Sequence, residues 1–488
     1  MNLADVLLRA AAPSPDAPAL IAKGSRAMSY GELDVMVGRL ASALLEAGAG
    51  PGARVVIGSD NDEHFVVAYL ATLHVGAIAV PLNRSAPPAE LARHLEAVDP
   101  VVVLAAGPAR GMLGAAGAKV TPIALDALPE ARAARHESAD DDVAVLLFTS
   151  GTAGAPKAAM LTHGNLAANL RQVQDHPGLR LEPSDVALGA LPFFHVFGLN
   201  VVLGVALAAG ASLVLTDRFD PGEAARRVRD HRVTILAGVP TMYEAWLALP
   251  DRVAPRDTFS TLRLAVSGAA PLPPEVAKGF EERFGVVLHQ GYGLTEASPI
   301  VTTTALSTGH PKPGSIGPPL PGIEVRLVDE HGEDVLLDDP GEIWVRGPNV
   351  FPGYWRDAEA TERALTPDGW LRTGDVAVVE DDGDLRLVDR AKDLIIVSGF
   401  NVYPVEVEDT LRMHPDVADV AVVGEPNPRT GETVTAYVVP VVGTAPHVES
   451  LMTHCAHSLA RYKCPSRVEV VHEIPRSPAG KVLRRELR

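Results

Sequence analysis

Short apolar runs rich in β-branched residues recur along the chain, each followed by a stretch of helical periodicity. Val55-Val56-Ile57 precedes a helix predicted near His64 to His74, and Ile78-Ala79-Val80 is a strand that Pro81 stops. Val101 to Leu104, Ala144 to Phe148, Ser212 to Leu215 and Val233 to Leu236 repeat the theme. Such alternation predicts layered α/β subdomains whose strands are mostly parallel. Val201 to Leu215 is apolar over 15 residues apart from Ser212. A membrane span needs about 20, so this stretch reads as a buried helix running into a core strand. The Ala/Gly-rich stretch Ala105 to Ala118 reads as an irregular surface connection, and a helix is expected to begin near Asn165.

From about Gly322 the pattern changes to Glu324-Val325-Arg326-Leu327-Val328, Gly341-Glu342-Ile343-Trp344-Val345 and Leu385-Arg386-Leu387-Val388. With Asp-Gly turns at Asp368-Gly369 and Asp382-Gly383, these alternating strands predict a small antiparallel β unit. After about Lys392 a βα pattern of its own predicts a compact domain of ~100 residues. The expected fold is α/β: a large N-terminal domain over residues 1–391, holding the layered subdomains and the β unit, and a small α+β C-terminal domain over 392–488. No internal repeat at solenoid spacing is visible.

Composition narrows the function classes. The 488 residues exceed one ordinary core, and 47% hydrophobic with 21% charged residues is globular. A formal net charge of −18 argues against a nucleic-acid binder. The last segment runs the other way: Arg461 to Arg488 carries eight basic and three acidic residues, 8 − 3 = +5. That is either a solvated tail or a patch that meets an anionic substrate. The two cysteines, Cys455 and Cys464, have no CxxC spacing, so a disulfide framework or zinc site is not expected and a reducing cytoplasm fits. Met1 to Asp5 shows no secretory signal.

The strongest chemical signal is Thr149-Ser150-Gly151-Thr152-Ala153-Gly154-Ala155-Pro156-Lys157, entered from the apolar strand Leu146-Leu147-Phe148. Small residues let backbone N–H groups approach an anion, hydroxyls add donors, and Lys157 adds charge. Pro156 before Lys157 and Ala158 after it exclude a Walker loop. Gly48-Ala49-Gly50-Pro51-Gly52-Ala53 satisfies the G-x-G-x-x-A pattern, but it follows a helical stretch and leads into a strand. A dinucleotide fingerprint needs the reverse order. No G-x-S-x-G elbow and no HExxH occur, so serine hydrolase and zincin readings have no footing.

Residues 149–157 resemble the phosphate loop of the adenylate-forming superfamily, which includes acyl-CoA synthetases, nonribosomal peptide adenylation domains and firefly luciferase. Four more segments fit in the same order: Gln290-Gly291-Tyr292-Gly293-Leu294-Thr295-Glu296, Trp370-Leu371-Arg372-Thr373-Gly374-Asp375, the hinge-like Asp389-Arg390-Ala391-Lys392-Asp393 through Ser398-Gly399-Phe400, and Pro475 to Lys481. Two positions depart from the family pattern, Ala153 where threonine is usual and Ala158 where glycine is usual.

The resemblance implies an ATP-dependent carboxylic acid:CoA ligase that uses ATP, Mg²⁺ and coenzyme A and has a mobile C-terminal lid domain. It makes Lys481, Glu296, Thr295 and His195 the catalytic candidates and Glu296 with Thr152 the metal candidates. Nucleotide and thiol contacts are assigned to Thr149, Ser150, Gly151, Thr152, Gly154, Lys157, Gly268, Ala269, Ala270, Gly291, Tyr292, Gly293, Asp375, Arg390, Lys392, Ser398, Gly399 and Phe400. Within that set Tyr292 would stack on adenine, Gly268-Ala269-Ala270 would lie along the base edge, and Asp375 would hold the ribose with Arg390 nearby.

The acyl pocket implied by the resemblance lies near Phe193-Phe194-His195-Val196-Phe197-Gly198-Leu199, Gly238-Val239-Pro240-Thr241 and Gly291 to Val301, segments without Arg or Lys. An amino acid would leave its ammonium unpaired there, and a dicarboxylate would lack a cation. A fatty acid is expected, because Gly198, Gly238 and Ala297 are small and leave length available. An aromatic acid, or transfer to an acyl carrier protein in place of coenzyme A, is the alternative. A nucleotide sensor would be expected to lose Lys481 or Glu296, both present, and a luciferase-like oxidative enzyme would emit light.

Overall fold

A computed structural model describes the chain apart from residues 25, 85, 150–156, 308, 330, 337–338, 391–394, 398–399, 428–430, 460, 477–481 and 488. Two large sheets carry the N-terminal part. One has seven strands in the order Gly353–Tyr354, Lys157–Thr162, Val143–Thr149, Ile78–Pro81, Arg54–Gly58, Val102–Ala105, Val120–Pro122. The other has eight: Ile300–Thr303, His289–Gly293, Leu264–Ser267, Ile235–Gly238, Val186–Gly189, Ser212–Leu215, Pro18–Ile21, Met28–Ser29. Neighbours at the centre of each sheet run parallel. Their continuous apolar runs follow, since a parallel sheet is covered on both faces. Val56, Val80 and Leu146 are fully buried beneath Leu91 and Leu95 of the helix Pro88–Val98. A cluster of Tyr243, Trp246, Phe259 and Phe280, packed edge to face, fills another part of the core.

Most expected elements form where the pattern puts them. The helix expected from His64 to His74 is Glu63–His74, N-capped by Asp62. Val201 to Leu215 contains helix followed by the strand Ser212–Leu215. One reading is corrected. Ala105 to Ala118 is no irregular connection but holds the helix Ala109–Ala115, whose Ala109 and Leu113 pack on the seven-stranded core. Alanine's helix propensity and one i, i+4 apolar pair suffice. The helix near Asn165 forms as expected, and the phosphate-type loop reaches it by way of a strand. It leads into the strand Lys157–Thr162, antiparallel to Val143–Thr149, and only then into the helix His163–Gln174. Paired on both edges, Ala158 and Ala159 sit in a strand despite their preference for helix.

Mutual packing divides the chain into two compact units. One comprises residues Met1–Pro313, Gly317–Glu324 and Val345–Leu371, the other Gly314–Ile316, Val325–Trp344 and Arg372–Arg488. The expected boundary between 391 and 392 falls outside the described residues. Strands in the order Ser315–Gly317, Leu385–Arg390, Leu371–Val379, Gly341–Arg346, Glu324–Val328 form the predicted small β sheet, and its second and third are an antiparallel pair. A last sheet, Phe400–Val402, Ile395–Val397, Gly431–Pro440, Val417–Asn427, takes Arg467–Val470 alongside Gly431–Pro440. It is closed by the helices Pro404–Arg412 and Val448–Ser458 over a core of Val407, Leu411, Val422 and Leu451.

Candidate active site

Thr149 and Lys157 face each other across the antiparallel pair that carries the phosphate-type loop. Ser150, Gly151, Thr152 and Gly154 lie outside the described residues, as do Lys392, Ser398, Gly399 and Lys481. Phe400 opens the strand Phe400–Val402.

Glu296 sits in the turn Thr295–Ala297, and a segment far along the chain fixes it. Its backbone carbonyl accepts the Phe351 N–H at 2.9 Å, and its Oε1 accepts the Tyr354 hydroxyl at 2.7 Å. Asn349, fully buried, donates Nδ2 to the Ala297 carbonyl at 2.7 Å. Lys157 Nζ stands 5.5 Å from the centre of the Tyr354 ring, a cation–π geometry. Burial, and then the Glu296 carboxylate, hold the Tyr354 phenol far above its usual range, so it stays a donor. Lys157 and Glu296, picked from separate motifs, are thus joined through a third side chain. The sequence reading missed Tyr354, because a tyrosine between Gly353 and Trp355 carries no local mark of a partner 58 positions away.

Magnesium takes hard oxygen ligands and usually binds through one or two carboxylates plus substrate phosphates. Glu296, half-buried and with one oxygen engaged, fits that mode. Among the described residues no group of three or more His, Cys, Asp and Glu forms a dedicated cage.

The strands Leu264–Ser267 and His289–Gly293 lie side by side and parallel, so Gly268 and Gly291 meet at their ends. A Cβ on Gly268 would stand 3.2 Å from the Phe197 ring and 3.3 Å from the Gly291 carbonyl. Ala269 adopts φ +68°, a left-handed conformation uncommon for alanine, and Ala270 follows half-exposed. Tyr292 is 8% exposed, whereas Gly293 is exposed. His195 Nδ1 accepts the Phe197 N–H at 3.2 Å, just ahead of the segment Phe197–Gly204, which winds as a π-helix. Such winding is rare and recurs at functional sites.

The glycines of the expected acyl pocket are already crowded. A Cβ on Gly198 would lie 2.2 Å from the Pro192 carbonyl, and one on Gly238 would lie 3.2 Å from the Tyr243 ring. Ala297 is fully buried. Their smallness therefore reflects close neighbours, which removes the ground for expecting a long channel.

In the other unit, Asp375 is 6% exposed on the strand Leu371–Val379, opposite Arg390 in the antiparallel ladder. The Thr373-Gly374-Asp375 turn is pinned by Thr373 Oγ1 donating to the Ile343 carbonyl at 2.7 Å and by Gly374 N–H donating to Glu342 Oε1 at 2.9 Å.

Two layered α/β sheets, a hydroxyl- and glycine-rich sequence between Thr149 and Lys157, and the candidate carboxylate Glu296 are the features expected of an adenylate-forming enzyme. The family model described as "AMP-binding enzyme" matches residues 7–355, and the model of its C-terminal domain matches 406–481. The chain belongs to this AMP-binding enzyme family. It is 40% identical to a feruloyl-CoA synthase of Amycolatopsis sp. over 99% of this chain and 97% of that one. It is 36% identical to a long-chain-fatty-acid–CoA ligase of Escherichia coli O157:H7, covering 100% and 94%. The crystal structure of ATP-bound MatB from Rhodopseudomonas palustris superposes with a TM-score of 0.92 at 34% identity, over 100% of this chain and 98% of that one. The chain is an acid:CoA ligase of the adenylate-forming kind, working with ATP, Mg²⁺ and coenzyme A. Among the described residues no helix is long and apolar enough to cross a membrane.

Proposed function

We propose that this ligase activates an uncharged aromatic acid, of the hydroxycinnamate type, as its coenzyme A thioester. The observation that carries this reading is the crowding at Gly198 and Gly238, where a Cβ would meet the Pro192 carbonyl and the Tyr243 ring, which removes the ground for a long acyl channel. A compact ring needs little depth, whereas a long alkyl chain would need a channel. The full-length likeness to a feruloyl-CoA synthase supports it. A fatty acid is the second reading, supported by the likeness to a long-chain-fatty-acid–CoA ligase.

In the first step a carboxylate oxygen of the acid attacks the α-phosphorus of ATP. A P–O bond forms, the bond to pyrophosphate breaks, and the acyl-adenylate remains. Bound magnesium would offset charge on the phosphates, held by Glu296 and Thr152. Thr149 to Lys157 would cradle the same phosphates, and Lys481 would neutralise the charge that builds at the α-phosphate. Tyr292 and the Gly268-Ala269-Ala270 backbone would hold adenine, and Asp375 the ribose. In the second step a thiolate attacks the acyl carbonyl and AMP leaves, with Ser398-Gly399-Phe400 flanking the thiol's path. Coenzyme A is the acceptor proposed; an acyl carrier protein would present the same thiol.

ATP–pyrophosphate exchange over a panel of acids tests the reading. Hydroxycinnamates and benzoates are expected to give the highest kcat/KM, and a straight-chain series to plateau early. A rise of roughly fourfold per methylene, about 0.8 kcal/mol each, sustained to twelve carbons would favour the fatty-acid reading instead.

A further inference from the structure

We propose that Tyr354 is a positioning residue for the metal-binding carboxylate, orienting Glu296 before the nucleotide arrives. The inference rests on the reading of Glu296 as the magnesium ligand and adds a residue that reading does not contain. Glu296 is held at two points by one segment: its carbonyl by the Phe351 N–H and its Oε1 by the Tyr354 hydroxyl. Its Oε2 has no hydrogen-bond partner among the described residues. The carboxylate therefore keeps one oxygen for the protein and one for a cation.

Tyr354 is itself anchored on every side. It pairs with Ala159 in the sheet, two residues beyond Lys157. Its N–H donates to Thr361 Oγ1 at 2.9 Å, and the next N–H, of Trp355, donates to the Ala158 carbonyl at 2.8 Å. Its ring meets that of Phe351, 2% exposed, edge to face at 4.9 Å. The hydroxyl thus has a fixed position relative to the strand that leaves the phosphate-type loop. A free glutamate would have to freeze its side-chain torsions as the metal binds. One held in advance does not, and outer-sphere groups of this kind typically change metal affinity by about 10- to 100-fold.

The test uses Mn²⁺ as the probe, titrated onto the full-length protein with the non-reacting analogue α,β-methylene-ATP and followed by electron paramagnetic resonance. Tyr354→Phe keeps the ring and removes only the hydroxyl. It is expected to weaken Mn²⁺ binding about tenfold, with the affinity for AMP unchanged. Glu296→Gln is expected to weaken it at least as much, and the double variant no further. Unchanged Mn²⁺ affinity in Glu296→Gln would overturn the metal-ligand reading itself. A loss in Glu296→Gln with none in Tyr354→Phe, or losses that add in the double variant, would overturn the positioning role alone. Glu296→Asp, whose shorter arm cannot reach the hydroxyl, gives a check that leaves the tyrosine in place: Mn²⁺ binding weakens, and Tyr354→Phe in that background adds nothing. A further loss there would also count against positioning.

Discussion

At the scale of single residues, the site depends on atoms that are missing. Gly268 brings the Phe197 ring and the Gly291 carbonyl to within 3.2 and 3.3 Å of where a Cβ would be. Alanine there would need the ring to yield by a few tenths of an ångström, and valine would collide with it. Overpacking of this kind costs typically 1–3 kcal/mol. Gly268→Val is expected to lower kcat/KM for ATP by about 10²-fold while the protein stays folded, and Gly268→Ala by only a few-fold. Phe197→Leu should recover part of the loss in the valine variant. Steady-state kinetics on the four proteins checks this. Thr149, Lys157, Asp375 and Glu296 were nameable as candidates because each lies in a short local pattern of small and charged residues. Tyr354 was not, since its meaning comes from a hydrogen bond that only the folded chain makes.

At the scale of elements, the helix His163–Gln174 opens with a capping box between Thr162 and Asn165, yet its first residue is a buried histidine. His163 Nδ1 accepts the Leu3 N–H at 3.0 Å, which docks the helix Leu3–Arg9, and its Nε2 has no partner among the described residues. Burial pushes this imidazole down to about 4 from the usual 6.5, against the weaker pull of Asp142 and Asp140. The helix N-terminus likewise disfavours a cation. The unfolded imidazole takes up its proton near pH 6.5 and the folded one only near 4. Folding therefore expels a proton in that window, and stability falls as the pH drops through it, by about 2 kcal/mol between pH 6.5 and 5. His163→Asn should be less stable than the parent at pH 7.5 but should flatten this part of the profile, as melting temperatures at pH 7.5, 6 and 5 would reveal. Parallel core strands such as Arg54–Gly58 and Ile235–Gly238 were readable from their unbroken apolar runs. Lys157–Thr162 was not, because two alanines and no alternation leave nothing for a period to detect, and its identity comes from two neighbouring strands.

At the scale of the whole molecule, the two half-reactions make different demands on the chain. Lys481 and Ser398-Gly399-Phe400 lie in the same C-terminal segment, and both are assigned to a single adenylate. Alternation between them calls for free φ and ψ at Lys392, the hinge candidate. Proline fixes φ near roughly −65° and removes the N–H. Lys392→Pro and Gly399→Leu are expected to spare acyl-adenylate formation, read by pyrophosphate exchange, while thioester formation falls by roughly tenfold or more. Equal losses in both half-reactions would reject alternation. The division into units carries its own consequence. The chain passes between them at 313/314, 316/317, 324/325, 344/345 and 371/372. No single scission can release one unit whole, and no single recombination joint can exchange it. A graft of the second unit would have to carry three separate stretches of sequence, so in this architecture new specificities are more readily reached by substitutions in place than by shuffling whole modules.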